Sequence, residues 1–483
     1  MSLTFHDKLP NPIQKVGEHQ IVKTPTALAE QILDVFPKDV WSDKNKKWLF
    51  PVSKSGVFQV LSYIRLMNGL KISIPDFDER RSWIIQEMMF SFCPTYSCEL
   101  FTRRNFLGKV WNDMRGFETL KGNVETRDFL KVTLNKNGEV EMTDEDGKKK
   151  YVKFDCIVGN PPYQDNSKAN DPKNLYPDFV LKAIELNPQY LSMVIPARWM
   201  MGSGKGITTF LKTMLESKKL SSISLEKNSS KWFRHDVEIK GGVMYFMYDR
   251  NHDSFNVNIN GISFDLTDED CIITDVIGLG IKTKVIERCD QTFDNVMLGG
   301  CPFGITSTHK DWSIIPDSSY VCHGSGKGIS DKINLIPKSL VKRNVECIPK
   351  FKVCVAKAAG KGSDGISQSF VIEPNHIVTE SYLVLCSFDL EQDADNVSCF
   401  LSTRLAQYLL SLMKNTQNVS KRVFKWLPYL DFSRSYIDQD LYTMFELTPE
   451  EIVHIETTTK DFPIFRVKPP KKEKPVKKVK TKV

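Results

Sequence analysis

The stretch Phe154-Asp155-Cys156-Ile157-Val158-Gly159-Asn160-Pro161-Pro162-Tyr163-Gln164-Asp165-Asn166 decides how the chain is read. Its apolar run, Cys156 to Val158, predicts a short buried strand that stops at Gly159. The loop that follows offers a side-chain amide at Asn160, two residues of fixed φ without N–H donors at Pro161 and Pro162, and an aromatic ring at Tyr163. As four isolated letters this is also a proline-rich turn with a surface tyrosine; a buried strand leading into it favours a site.

The chemistry such a loop suits is the gripping of a planar amine. An exocyclic amine on a nucleobase is a poor nucleophile because its lone pair is delocalised into the ring. Two acceptors that hold its N–H bonds let the nitrogen pyramidalise and aim that lone pair. The Asn160 side-chain oxygen and the Pro161 carbonyl fit those roles, and the proline pair keeps the loop rigid. Tyr163 would stack on the ring and replace the neighbours that an extruded base has lost.

FDCIVGNPPYQ resembles the catalytic motif of S-adenosylmethionine-dependent amino-methyltransferases, most closely the gamma-class N6-adenine DNA methyltransferases of type II restriction-modification systems. The resemblance runs from about Val22 to about Phe462. It implies an α/β fold: a doubly wound, Rossmann-like methyltransferase domain over residues 1–255, then a mixed α/β DNA target-recognition domain over residues 256–465. The implied cofactor is S-adenosyl-L-methionine. The implied partners are double-stranded DNA and a cognate restriction endonuclease.

Further site residues follow from the resemblance, and some depart from it. Thr24-Pro25 ahead of TALAEQILDVF reads as a capped helix start, with Thr24 at the N-cap and Pro25 at the first helical position. In the family a similar helix start touches the cofactor. Trp48 to Phe58, with Pro51, Lys54 and Gly56, reads as strand, tight loop and helix, where a doubly wound fold takes a nucleotide-like ligand. The family pattern there is close to Asp-Pro-x-x-Gly-x-Gly; Phe50 stands at the acidic position and Lys54 at the first glycine. Gly56 keeps the close backbone approach, and the Lys54 cation suits the methionyl carboxylate. After a second strand around Met89 to Cys93, Thr95 and Tyr96 stand where relatives place a carboxylate for the ribose. Asp128 and Phe129 resemble the pair that meets the cofactor's adenine, although Asp128 also reads as an ordinary strand-end residue. Phe233, ahead of a Gly-Gly hairpin, matches the aromatic facing the flipped adenine opposite Tyr163; a core phenylalanine is its other reading.

Composition bounds the rest. A chain of 483 residues, 41% hydrophobic and 26% charged, fits two or three globular domains. Eleven scattered cysteines without CxxC pairs argue for reduced thiols, and no metal site is expected. No apolar run approaches the roughly 18 residues of a membrane span, and the expected location is cytoplasmic. The net charge of +7 is concentrated in residues 466–483, which carry +8 and leave the remainder near −1. That lysine-rich tail is expected to be disordered, either attracting phosphate or merely solubilising the chain. Gly202 to Gly206 makes no phosphate loop, because position 199 is Trp and Lys205 is followed by Gly. His235 reads as a surface histidine. Mixed basic, amide and aromatic residues from Lys338 to Lys361 and from Lys414 to Lys425 suit contact with phosphates and base edges, and equally suit solvated loops.

Two other functions fit parts of this pattern. A protein-glutamine methyltransferase also uses an Asn-Pro-Pro-Tyr loop, but would not need the long C-terminal half. A methyltransferase-fold DNA-binding or antirestriction protein that has lost its cofactor would explain Phe50 and Lys54.

Overall fold

Cys156–Gly159 (β4) lies inside a sheet, paired in parallel with Trp48–Phe50 (β1) on one side and Tyr190–Pro196 (β5) on the other. Its residues are all buried, which is why it reads as an unbroken apolar run: a parallel strand covered on both faces has no wet side. The computed structural model describes residues 15–16, 19–20, 23–108, 122–143, 147–165, 173–202, 206–233, 239, 241–267, 269–308, 318–324, 334–358, 365–414 and 418–461. The expectations for the lysine-rich tail, for His235 and for the loop at 203–205 lie outside these residues.

Around β4 the sheet grows to nine strands. Met89–Cys93 (β2) and Asn123–Thr126 (β3) extend it beyond β1 in parallel. On the other side, Val243–Asp249 (β7) runs antiparallel between β5 and Leu220–Glu226 (β6). The hairpin Asn256–Ile259 (β8) and Ile262–Asp265 (β9) completes the edge, giving the order β9-β8-β6-β7-β5-β4-β1-β2-β3. The order reverses between β1 and β4, and there the ends of the parallel strands open a crevice.

Helices cover both faces. Thr26–Asp34 (α1) and Val57–Gly69 (α2) pack Leu28, Ile32, Phe58 and Leu61 against Trp48, Phe50, Cys156 and Val158. Tyr176–Glu185 (α5) lies opposite, where Phe179 stacks on Phe129 and Phe129 tilts against Phe92. Between them in sequence come Phe77–Trp83 (α3), which continues into a π-helical turn over Ile84–Met88, and Tyr96–Thr102 (α4); Ile207–Glu216 (α6) follows α5. The doubly wound α/β class expected from the sequence is the class found.

Two local expectations change. Helix α1 begins one residue later than predicted, with Pro25 rather than Thr24 at its N-cap, because the Thr24 hydroxyl is used elsewhere. The boundary expected after residue 255 falls between Ile272 and Ile273, since β8 pairs with β6 and ties the β8–β9 hairpin into the first unit.

The second unit, from Ile273, is mixed α/β. It holds Val276–Glu287 (α7) and two small sheets. Ser319–His323 (β10) pairs with Asn334–Pro337 (β11) and His376–Val378 (β14), and Phe351–Ala356 (β12) pairs with Phe370–Ile372 (β13) and Tyr382–Phe388 (β15). Glu391–Leu401 (α8), Arg404–Met413 (α9), Asp438–Met444 (α10) and Pro449–Thr458 (α11) follow; the last is capped reciprocally by Thr448 and Glu451, as its Thr-Pro start predicts. Among the described residues no helix is long and apolar enough to cross a membrane.

Two histidines in this unit touch across the parallel β10–β14 pair, His323 Nε2 lying 3.1 Å from His376 Nδ1. Burial holds both imidazoles below the ordinary range; His376 and Lys352 press His323 the same way, and Glu373 opposes. The folded state therefore binds fewer protons than the unfolded chain, whose histidines titrate near pH ~6.5. This contribution to stability is complete above that pH and is lost as pH falls through the lowered folded values. Calorimetric unfolding of the whole chain should show a transition moving to lower temperature between about pH 7 and pH 5, and a His376→Gln variant should flatten that dependence. Equal slopes for the two proteins would remove the pair as the cause.

Candidate functional site

The loop leaving β4 begins on a glycine that lets the chain lie close to its neighbour: a Cβ on Gly159 would sit 3.5 Å from Pro51. Pro51, itself buried, thus supports the loop from below. Asn160 is 3% exposed, and its Nδ2 donates to Thr24 Oγ1 at 3.0 Å. This bond fixes the amide plane and leaves Oδ1 as the end that can accept. Pro161 is buried, while Pro162 and Tyr163 are half-buried. The Tyr163 carbonyl accepts from the Leu175 N–H at 3.1 Å, and Gln164–Asp165 pairs with Lys173–Asn174, so the loop is held at both ends. The Tyr163 hydroxyl is buried without a hydrogen-bond partner among the described residues, and burial pushes its pKa up.

Beside Asn160, at the reversal of strand order, lies a cavity of about 20 Å³ whose lining includes Thr24, Phe50, Ser53, Lys54, Gly56 and Asn160. Gly56 has φ +78°, a left-handed conformation that glycine adopts without strain, and it forms the N-cap of α2. The start of that helix, Gly56 to Gln59, is part of the cavity lining, and a helix N-terminus carries partial positive charge. Lys54 keeps part of its side chain at the surface, yet burial of its ammonium pushes the pKa down to about 8. Phe50, at the position where the resemblance calls for an acid, is 2% exposed and belongs to the sheet core.

Thr24, Lys54, Gly56 and Asn160, distant in sequence, therefore share one cavity, with Pro51 beneath it. Others of the expected set lie outside its lining. Thr95 is the N-cap of α4, its hydroxyl accepting from the Cys98 N–H at 3.3 Å. Asp128 stays at the surface after β3; one oxygen accepts from the Leu130 N–H at 3.1 Å and the other lies 3.4 Å from Lys131 Nζ. Two more of the expected residues lie in the core. Phe129 is 2% exposed, with its ring against Phe92 and Phe179. Phe233, also 2% exposed, packs in the cluster that holds Val243 and Tyr245. Both rings gain more from the dry core than a half-open pocket provides.

Sequence reasoning missed the polar bracing of the site. Ser53 Oγ lies 2.7 Å from Thr102 Oγ1, the Ser53 N–H donates to the Phe92 carbonyl at 2.8 Å, and Gln59 Nε2 donates to Ser91 Oγ at 3.0 Å. All of these polar side chains are buried, which makes each bond expensive to lose. The available signal was a serine and a glutamine flanking Gly56 in otherwise apolar surroundings.

A sheet of this order, with an Asn-Pro-Pro-Tyr loop leaving its central strand beside the crevice, defines a doubly wound methyltransferase. The profile of the Eco57I restriction-modification methylase family matches residues 87–233, which include that loop. An uncharacterized adenine-specific methylase of Mycoplasma pneumoniae (strain ATCC 29342 / M129 / Subtype 1) is 32% identical over 294 residues, covering 50% of this chain and 69% of that protein. The chain belongs to the family of that adenine-specific methylase. Among solved structures it is similar to the DrdV–DNA complex (11% identity, TM-score 0.47, 89% of this chain and 57% of that one). It is also similar to the type IIG restriction endonuclease BpuSI (10% identity, TM-score 0.42, 90% and 62%). The chain thus spans less than two thirds of either of these proteins.

Proposed function

We propose that this methylase transfers a methyl group from S-adenosylmethionine to the N6 amine of an adenine turned out of double-stranded DNA. The observation that carries the reading is the buried Asn160 amide at the end of β4, pinned by Thr24 at the rim of a cavity bounded by Lys54 and Gly56. S-adenosylmethionine supplies an electrophilic methyl on its sulfonium. Thr24, Pro51, Lys54 and Gly56 would hold its amino-acid end beside the positive pole of α2, with Asp128 accepting from its adenine amine.

The protein's own contribution is positioning. Asn160 Oδ1 and the Pro161 carbonyl accept the two N–H bonds of the target amine, so its lone pair leaves conjugation with the ring. Pro162 adds no competing donor, and Tyr163 stacks on the extruded base. No covalent enzyme intermediate is required. The unit beginning at Ile273 reads the target site in the duplex, and a restriction endonuclease is the natural partner of such an activity.

Labelled methyl transfer to duplex DNA, followed by nucleoside chromatography, tests this: label is expected in N6-methyladenine, and label confined to protein glutamine would replace the reading. Removing the Thr24 acceptor frees the Asn160 amide to rotate. Thr24→Val should slow single-turnover transfer about fivefold, as expected for a hydrogen bond worth ~1 kcal/mol, while Thr24→Ser stays near wild type. Equal rates for all three proteins would remove Thr24 from the site.

A further inference from the structure

The loop that leaves β4 returns through Lys173 to Leu175, and the turn after the next strand reaches across to that return. Arg198 lies on the 3-10 turn Ala197–Met201, which follows β5, and β5 is a parallel neighbour of β4. Parallel neighbours end at the same edge of a sheet, so this turn and the loop stand side by side. The Arg198 guanidinium donates to the side-chain oxygen of Asn174. Asn174 is paired across the loop with Gln164, and the next residue, Leu175, donates its N–H to the Tyr163 carbonyl at 3.1 Å. The turn that carries Arg198 is itself fixed. Trp199 is fully buried, with its Nε1 3.2 Å from the Met244 sulfur and its ring 5.2 Å from that of Phe210 on α6. The Ala197 N–H donates to the Gly242 carbonyl at 3.0 Å. Arg198 also faces Tyr176 at the start of α5, where it opposes the rise that burial imposes on the pKa of that hydroxyl.

Resting on the methyltransferase reading above, we propose that Arg198 is a positioning residue: by gripping Asn174 it holds the arm that carries Tyr163 where the ring can stack on an extruded base. The outgoing limb of the loop is stiffened by Pro161 and Pro162 and by the pinned Asn160 amide. The return limb, Lys173 to Leu175, has weaker ties of its own. A two-residue backbone pair is marginal alone, and the Lys173–Asp178 ion pair, 2.7 Å long, is exposed and contributes little. A guanidinium set on a rigid turn loses little freedom in making its bond, and a charge-assisted bond is among the stronger ones. Arg198 therefore acts on the reaction through Asn174 and the setting of Tyr163.

The test combines steady-state transfer of labelled methyl from S-adenosylmethionine to genomic DNA of an unmethylated host with hydrogen exchange of the ligand-free chain. Arg198→Met and Asn174→Ala should each lower kcat about tenfold, leave the KM for S-adenosylmethionine within about twofold, and speed exchange of the Leu175 amide about tenfold, as loss of a charge-assisted hydrogen bond predicts. The double variant should be no slower than either single one, because both remove the same bond. Asn174→Asp keeps an oxygen for the guanidinium and should stay near wild type. Losses that multiply in the double variant, or single variants with unchanged kcat and exchange, overturn the role of Arg198 and leave the methyltransferase reading intact. A wild-type chain that transfers no methyl to DNA overturns both. Asn174 is half-buried on the loop arm, so its Ala and Asp variants decide the matter even if Arg198→Met does not fold.

Discussion

Replacing Asn160 by Ala is expected to slow methyl transfer to DNA by about a hundredfold to a thousandfold, the range found when a preorganised hydrogen-bonding group is removed from a transition state. The argument rests on what the truncation removes. Asn160 is 3% exposed, and its amide plane is set by the 3.0 Å bond to Thr24. No neighbouring side chain in the loop can replace Oδ1, because Pro161 and Pro162 carry no polar side-chain atoms. Without that acceptor the target amine keeps its lone pair in the ring. Asn160→Asp separates the two functions of the residue: it retains an acceptor but loses the donor to Thr24, and should fall between wild type and alanine. Single-turnover rates at saturating DNA give the answer, with DNA affinity measured alongside. An alanine variant with an unchanged rate would remove Asn160 from the chemistry.

Gly242→Ala should destabilise the first unit by roughly 3 kcal/mol. Gly242 has φ +86° and opens β7 at its pairing with β6. A Cβ there would lie 2.6 Å from the Glu226 carbonyl oxygen and 2.9 Å from the Lys227 Cα, both backbone atoms with no rotamer to relieve the clash. The Gly242 carbonyl also accepts from the Ala197 N–H at 3.0 Å, so any shift disturbs the end of β5. Left-handed strain and overpacking each cost about 1–3 kcal/mol, and together they should lower unfolding free energy by roughly 3 kcal/mol. Urea denaturation reports this as a fall in midpoint at constant slope. A loss below about 1 kcal/mol would mean that the hairpin approaches β6 less closely than described.

Much of this architecture was legible because its strands are buried on both faces. Cys156 to Val158, Met89 to Cys93 and Tyr190 to Ile195 are apolar runs with clear stops, and each is a strand in the structure. Strand β6 was harder to read: Leu220–Glu226 carries three serines and lies toward the edge, so its hydrophobic signal is diluted. The β8–β9 hairpin escaped assignment to the first unit for a similar reason. Its alternating pattern fits a strand pair but says nothing of which sheet it joins.

The site was legible where chemistry is local and obscure where it depends on tertiary packing. Asn160 to Tyr163 announce themselves by residue type. Thr24 looked like a helix cap because a threonine before a proline usually is one; only the fold brings it to Asn160, 136 residues away in the chain. Phe129 and Phe233 show the reverse, since an aromatic ring in a motif has the same spelling whether it faces a ligand or the core, and burial decides between them.

The central claim is tested most directly on DNA from a host free of adenine methylation that expresses this chain. Methylation-sensitive sequencing with nucleoside mass spectrometry should find N6-methyladenine at one recurring sequence in wild-type DNA and none with Asn160→Ala. Methyl groups on cytosine N4, or adenine methylation that persists in the Asn160→Ala strain, would contradict the account.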